Sequence, residues 1–170
     1  MRKVESIYLP VHRDRRGTFQ RLYDYDLFEN FLPLPLMQVS VSTNPKVGTL
    51  RGLHYQAKPA QEWKIVQCIQ GEVWDLVLDL RKDSQTYGQF NFFTLSQRNN
   101  LALIIPPGYA HGFQTLRKNS VVTYFMTARY DVELSRQINA KDANLGIPWP
   151  LPITEISDAD LEANSWPQEF

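Results

Sequence analysis

The chain has 170 residues, 43% of them hydrophobic, with 18 Lys plus Arg against 18 Asp plus Glu and hence no formal net charge. That length suits one domain burying about two-thirds of its unfolded surface, and the charge balance excludes the broad basic footprint of a nucleic-acid binder, so an anionic partner must be met by a few aimed cations. Cys68 is the single cysteine, no apolar run reaches the length of a membrane span, and the opening "MRKVESIYLP" lacks the apolar core of a signal peptide; a cytoplasmic protein without internal disulfide, nucleic acid or membrane partner is expected.

In chain order, the first periodic element is "DYDLFENF" (24–31), a helix candidate. From about residue 36 to 130 the chain reads as short β-rich runs between turn signals. "LMQVSVST" alternates until Asn44-Pro45, and "GTLRGLHYQ" (48–56) reads as a strand crowded with polar groups. "WKIVQCIQ" runs to Gly71, "EVWDLVLDLR" follows directly, and "QFNFFTLS" comes after Tyr87-Gly88. "LALIIP" meets Pro106-Pro107-Gly108, and "SVVTYFMTARY" closes the series. Strands of this length and spacing predict an antiparallel sandwich or barrel. "GIPWPLPI" is an extended connector, since residues before proline avoid the helical region. The terminal "DADLEAN" is a second short helix, with Ser157 or Asp158 as its cap.

Period-2 geometry assigns faces. Trp74, Leu76, Leu78 and Leu80 form an apolar face, opposed by Val73, Asp75, Val77 and Asp79. Asp79 is expected on a solvated outer surface, whereas Asp75 fits either that surface or the polar lining of a barrel mouth. Val122, Tyr124 and Met126 share a face against Val121, Thr123, Phe125 and Thr127; a tyrosine among apolar neighbours usually belongs to a core with one partner for its hydroxyl.

Two stretches carry chemistry. Arg51, His54 and Gln56, with Gln61 and Lys64 nearby, are many polar groups for one β segment. They suit a cavity whose ligand has an anionic part and an enolisable or hydrogen-bonding part. The second stretch, "IPPGYAHGF" (105–113), makes a tight turn and returns with His111 on the next strand. It resembles the second motif of cupins, small jelly-roll barrels. Metal-binding cupins carry His-x-His in their first motif, but here His54 has no such neighbour and His12, the remaining imidazole, sits in a charged N-terminal segment. A barrel without metal is therefore expected; a metal-dependent cupin enzyme and a non-catalytic sugar-nucleotide binder are the alternatives.

LRGLH (50–54), DLRKDSQTYG (79–88) and IPPGYAHGF in this order, with "DRRGTF" (14–19), "GIPWP" (146–150) and "ISDAD" (156–160), closely resemble the dTDP-4-dehydrorhamnose 3,5-epimerase family. The resemblance spans nearly the whole chain. It implies an all-β, cupin-like jelly-roll with short N- and C-terminal helices, a single domain over 1–170, and a homodimer. It also implies a cofactor-free epimerase of deoxysugar and O-antigen-type polysaccharide biosynthesis. Such an enzyme inverts C3, C5 or both of a nucleotide-diphosphate 4-keto-6-deoxyhexose through an enolate. By motif position, His54 is the implied base, Asp160 its orienting carboxylate, Lys64 the cation at the C4 oxygen and Tyr124 the acid on the opposite face. Arg16, Gln38, Arg51 and His111 fall on substrate-binding positions. Arg21, Arg129 and Ala159 stand where the family usually has a glutamate, an aromatic and a lysine. They leave the nucleotide open between thymidine, the default, and CDP or GDP.

Overall fold

A computed structural model describes residues 2–32 and 35–166. Among them, one five-stranded antiparallel sheet runs β1 (Glu5–Tyr8), β9 (Leu101–Ile105), β6 (Lys64–Gln70), β11 (Ser120–Met126) and β4 (Gln38–Asn44). A second runs β12 (Ser135–Gln137), β5 (Leu50–Gln56), β10 (Tyr109–Thr115), β7 (Glu72–Asp79) and β8 (Phe90–Ser96). The hairpin of β2 (Val11–Asp14) and β3 (Gly17–Gln20) stands apart from both. Two helices, α1 (Tyr25–Phe28) and α2 (Asp158–Leu161), lie near the ends and are shorter than the sequence predicts. The Ser157 hydroxyl caps α2 by accepting from the Asp160 N–H.

Side chains alternate across each sheet, so each sheet has an inner and an outer face. Val66, Val73, Val77, Leu103, Phe113 and Val122 pack between the sheets. On the outside of the first sheet, Ile65, Ile104 and Phe125 are covered by Leu9, Phe28 and Leu32 of the N-terminal segment. On the outside of the second, Leu53, Trp74, Leu76 and Leu78 are covered by Ile138, Ala140, Leu145 and Trp166. Each such fully buried side chain contributes about 1.5–3 kcal/mol. The apolar face of β7 therefore packs under the C-terminal segment, and its other face lines the interior.

That arrangement corrects the expectation for Asp79. The residue is 1% exposed rather than solvated. Its carboxylate accepts from the Arg81 guanidinium at 2.6 and 2.8 Å and from the Ser84 and Thr86 hydroxyls, both at 2.7 Å. It thereby ties down the loop leaving β7. Asp75, four residues earlier, is fully buried and belongs to the interior lining.

A bulge in β5 explains the LRGLH spacing. Arg51 pairs with Phe113 and His54 with His111, so three steps along β5 match two along β10. In a regular strand, residues three apart face opposite sides; the extra residue puts Arg51 and His54 on one side. Gly52 makes this possible. Its φ is +112°, and a Cβ there would lie 2.6 Å from the Gly112 Cα; a side chain is excluded by both conformation and space.

Candidate active site

The inner faces of the two sheets bring most of the sequence-predicted residues together. From the second sheet come Arg51, His54, Asp75 and His111; from the first come Gln38, Lys64 and Tyr124. His54 borders a cleft of about 240 Å³ whose lining includes Gln38, Lys64 and Tyr130. A larger cleft of about 620 Å³, at Lys58, Gln61, Leu80 and Lys82, holds none of the candidate catalytic or substrate-binding residues. Gln61 thus lines the larger cleft, while Glu62 faces the smaller one.

His54 Nε2 lies 2.6 Å from Asp160 Oδ1, and the other carboxylate oxygen accepts from the Gly52 N–H at 3.2 Å. Burial works to raise the Asp160 pKa, but the His54 hydrogen bond and charge, the Gly52 N–H and Ser157 hold it below its ordinary value. An ionised carboxylate only accepts, so it fixes the proton on Nε2 and leaves Nδ1 as the free lone pair of the neutral ring. The imidazole is 42% exposed while its carboxylate is 4% exposed: a reachable base on a buried anchor.

Tyr124 belongs to the facing sheet and is half-buried. Its ring stands edge-on to His111 with centroids 6.4 Å apart, and His111 is the cross-strand neighbour of His54. The Tyr124 hydroxyl lies 3.0 Å from Ser42 Oγ. Burial pushes the phenol well above its ordinary pKa, so it carries its proton at neutral pH. His111 Nε2 is 2.8 Å from Asp75 Oδ2, a second and fully enclosed histidine–carboxylate pair. Burial raises the Asp75 pKa, opposed by His111 and Lys64. Asp75 Oδ1 has no hydrogen-bond partner among the described residues, which costs about 1–3 kcal/mol in a site that serves packing alone.

Lys64 is 14% exposed and 3.3 Å from Glu62, whose other oxygen accepts from Gln56 at 3.3 Å. Arg51 donates through Nε to Asn44 Oδ1 at 2.7 Å. Gln38 Oε1 accepts from the Tyr130 N–H at 3.0 Å. Arg16 is not brought to this group. It sits at the tip of the β2–β3 hairpin, 85% exposed and 2.6 Å from Asp14.

Glu62, Tyr130, Ser42 and Asn44 are residues of the site that sequence reasoning passed over. Asn44 enters the sequence reading only as part of the Asn-Pro strand stop, and β4 does end there; its full burial and its bond to Arg51 are not visible in that signal. Among the described residues, no three His, Cys, Asp or Glu side chains cluster as a metal site. His54 and His111 are each engaged by a carboxylate, and His12 packs on Phe19 of the hairpin. This donor set does not fit a cupin metal centre.

The arrangement offers a base on one wall, and on the other a protonated acid and a cation. That is the equipment for moving a proton at a carbon beside a carbonyl. Comparison with known proteins points the same way. The family model described as dTDP-4-dehydrorhamnose 3,5-epimerase matches residues 1–168. The dTDP-4-dehydrorhamnose 3,5-epimerase of Sinorhizobium fredii is 38% identical over 144 residues, 84% of this chain and 74% of that protein. The Bacillus anthracis enzyme of the same name, solved with TDP and PPi bound, superposes with a TM-score of 0.91 at 33% identity, covering 95% of this chain and 93% of the other. The dTDP-6-deoxy-D-glucose-3,5-epimerase of Legionella pneumophila, solved in complex with dTDP-4-keto-L-rhamnose, gives a TM-score of 0.89 at 33% identity, covering 95% and 87%.

Proposed function

Because this chain belongs to the dTDP-4-dehydrorhamnose 3,5-epimerase family, we propose that it inverts C3, C5 or both of a nucleotide-linked 4-keto-6-deoxyhexose. The reaction needs no cofactor: His54 removes the proton beside the ketone, and Tyr124 returns one on the opposite face of the ring. The observation that carries this assignment is the opposition of two groups in complementary states. An Asp160-anchored imidazole with a free lone pair sits on one sheet, and a protonated phenol sits on the facing sheet. Inversion requires delivery and removal from opposite sides, and two walls of one sandwich supply them.

Lys64 stabilises the enolate oxygen as it forms, as a cation already inside a largely enclosed site. Gln38, Arg51 and His111 bind substrate, the Arg51 guanidinium suiting the diphosphate. Arg16 is a further substrate cation, on a hairpin outside the cleft of its own chain. A homodimer is supported by the unpaired edge β4, where Val39 and Val41 are 61% and 63% exposed. A single domain over 1–170, a cytoplasmic location and a place in deoxysugar and O-antigen-type polysaccharide synthesis complete the proposal. No helix among the described residues is long and apolar enough to cross a membrane.

The test offers dTDP-, CDP-, GDP- and UDP-linked 4-keto-6-deoxyhexoses to the purified protein and follows the stereochemistry at C3 and C5 by NMR. Inversion with at least one carrier is expected, dTDP foremost; failure with all four overturns the proposal.

A further inference from the structure

Behind Tyr124 runs a chain of side chains that the proposed chemistry has not yet used. Tyr124 meets Ser42 Oγ at 3.0 Å, Asn44 Nδ2 reaches that same Oγ at 3.3 Å, and Arg51 Nε reaches Asn44 Oδ1 at 2.7 Å. The orientation of the Asn44 amide is fixed by its surroundings. Arg51 Nε can only donate, and the Ser120 carbonyl, 3.1 Å from Asn44 Nδ2, can only accept. Every link therefore points one way: guanidinium N–H to Asn44 oxygen, Asn44 N–H to Ser42 oxygen, and Ser42 O–H available to the Tyr124 oxygen.

The direction of these bonds matters for an acid. When Tyr124 gives its proton to carbon, the O–H bond breaks, the new C–H bond forms with the enolate electron pair, and a phenolate remains. The phenolate is then left in a half-buried site, where an anion without a hydrogen-bond donor is costly. Hydrogen bonds aligned in series polarise one another, so a chain with a guanidinium at its head presents a strengthened donor at its tail. Ser42, receiving from Asn44 through its oxygen, keeps its own proton for the phenolate.

We propose that Arg51, Asn44 and Ser42 form a one-way relay that stabilises the Tyr124 phenolate, with Ser42 and Asn44 as positioning residues for the acid. Arg51 thereby serves both ends of the reaction. Its Nε feeds the relay, and its terminal nitrogens have no protein partner among the described residues, so the diphosphate and the acid share one cation. Ser42 and Asn44 stand on the acid's sheet, whereas Arg51 comes from β5, the strand that also carries His54, so the relay bridges the two walls and only its Ser42–Asn44 part belongs to the acid's side. The proposal rests on the epimerase function given above.

The test separates the two walls. In deuterated buffer, with the ketosugar carrier that wild type accepts, washing of deuterium into the carbon from the His54 side is measured alongside net inversion. Ser42→Ala is expected to lower the inversion-to-exchange ratio roughly 10²- to 10³-fold, the scale of one lost donor to a developing anion. Ser42→Thr, which keeps the hydroxyl, restores most of it. Added to Tyr124→Phe, Ser42→Ala has no further effect. If Ser42→Ala does not fold, Ser42→Cys, a weaker donor of similar size, is measured in its place. An unchanged ratio, or equal loss of exchange and inversion, overturns the relay while leaving the epimerase intact. Wild-type protein that exchanges with no carrier overturns the function and the relay together.

Discussion

At the residue scale, the proton state of each group follows from its nearest neighbours. Asp160 stays ionised because His54, the Gly52 N–H and Ser157 outweigh its burial, and it then dictates the His54 tautomer. Tyr124 stays protonated because burial disfavours its phenolate. These opposite outcomes give a division of labour that kinetics can read. Tyr124→Phe removes the acid but leaves the base able to take and return a proton on its own face. Net inversion should fall by about 10²- to 10⁴-fold, the range of a lost acid–base group, with exchange falling far less. Parallel loss of both, measured by proton NMR in deuterated buffer, would contradict the roles assigned to the two residues.

Among the elements, β7 shows how one strand can serve two cores. Asp79 ends it with hydrogen bonds from Arg81, Ser84 and Thr86 that hold its pKa well below the carboxylate range, against the effect of burial. A carboxyl whose folded pKa lies below its unfolded value of about 3.9 contributes stability fully above that value and loses it as pH falls toward the folded pKa. Asp79→Asn should therefore cost about 3 kcal/mol at pH 7, as breaking a buried charged pair does. The gap to wild type should narrow as pH drops below about 4, as urea midpoints at a series of pH values will show. A gap independent of pH would mean that Asp79 acts through shape rather than charge.

The same strand marks what the sequence could disclose. Alternation in "EVWDLVLDL" identifies two faces correctly, because that pattern is a local property of extended backbone. It cannot say what covers each face. The apolar face of Trp74, Leu76 and Leu78 packs under the C-terminal segment and not between the sheets, and Asp79 looks solvated but is enclosed by its own loop. His54, Lys64, Tyr124 and Asp160 could be proposed from the sequence because the motifs in their fixed order carry a resemblance that spans nearly the whole chain. Ser42, Asn44 and Glu62 could not, since their roles arise from contacts with partners brought near by sheet pairing. Asn44 reaches Ser120, 76 residues away, by such pairing. The bulge at Gly52 lies between these cases: LRGLH was visible as a motif, but its geometric reason needed the β5–β10 register.

At the scale of the whole molecule, the described residues cover both sheets on most of their two faces but leave apolar side chains in solvent at the edges. Val39 and Val41 are among them, on the outer side of β4 at the edge of its sheet, the kind of edge that pairs with another chain. A second copy covering it would bury both valines. Light scattering should give twice the chain mass of 19.8 kDa, and Val41→Glu should shift the protein toward the monomer by placing a charge in that contact. A wild-type monomer at micromolar concentration would remove the dimer from the account.

The central claim is that one imidazole starts the chemistry. The most direct measurement incubates wild type and His54→Ala with the accepted 4-keto-6-deoxyhexose nucleotide in deuterated buffer and follows C3 and C5 by NMR. The account predicts deuterium entering with wild type and a loss of at least about 10³-fold in the variant. Exchange that persists at a near wild-type rate without the imidazole would contradict it.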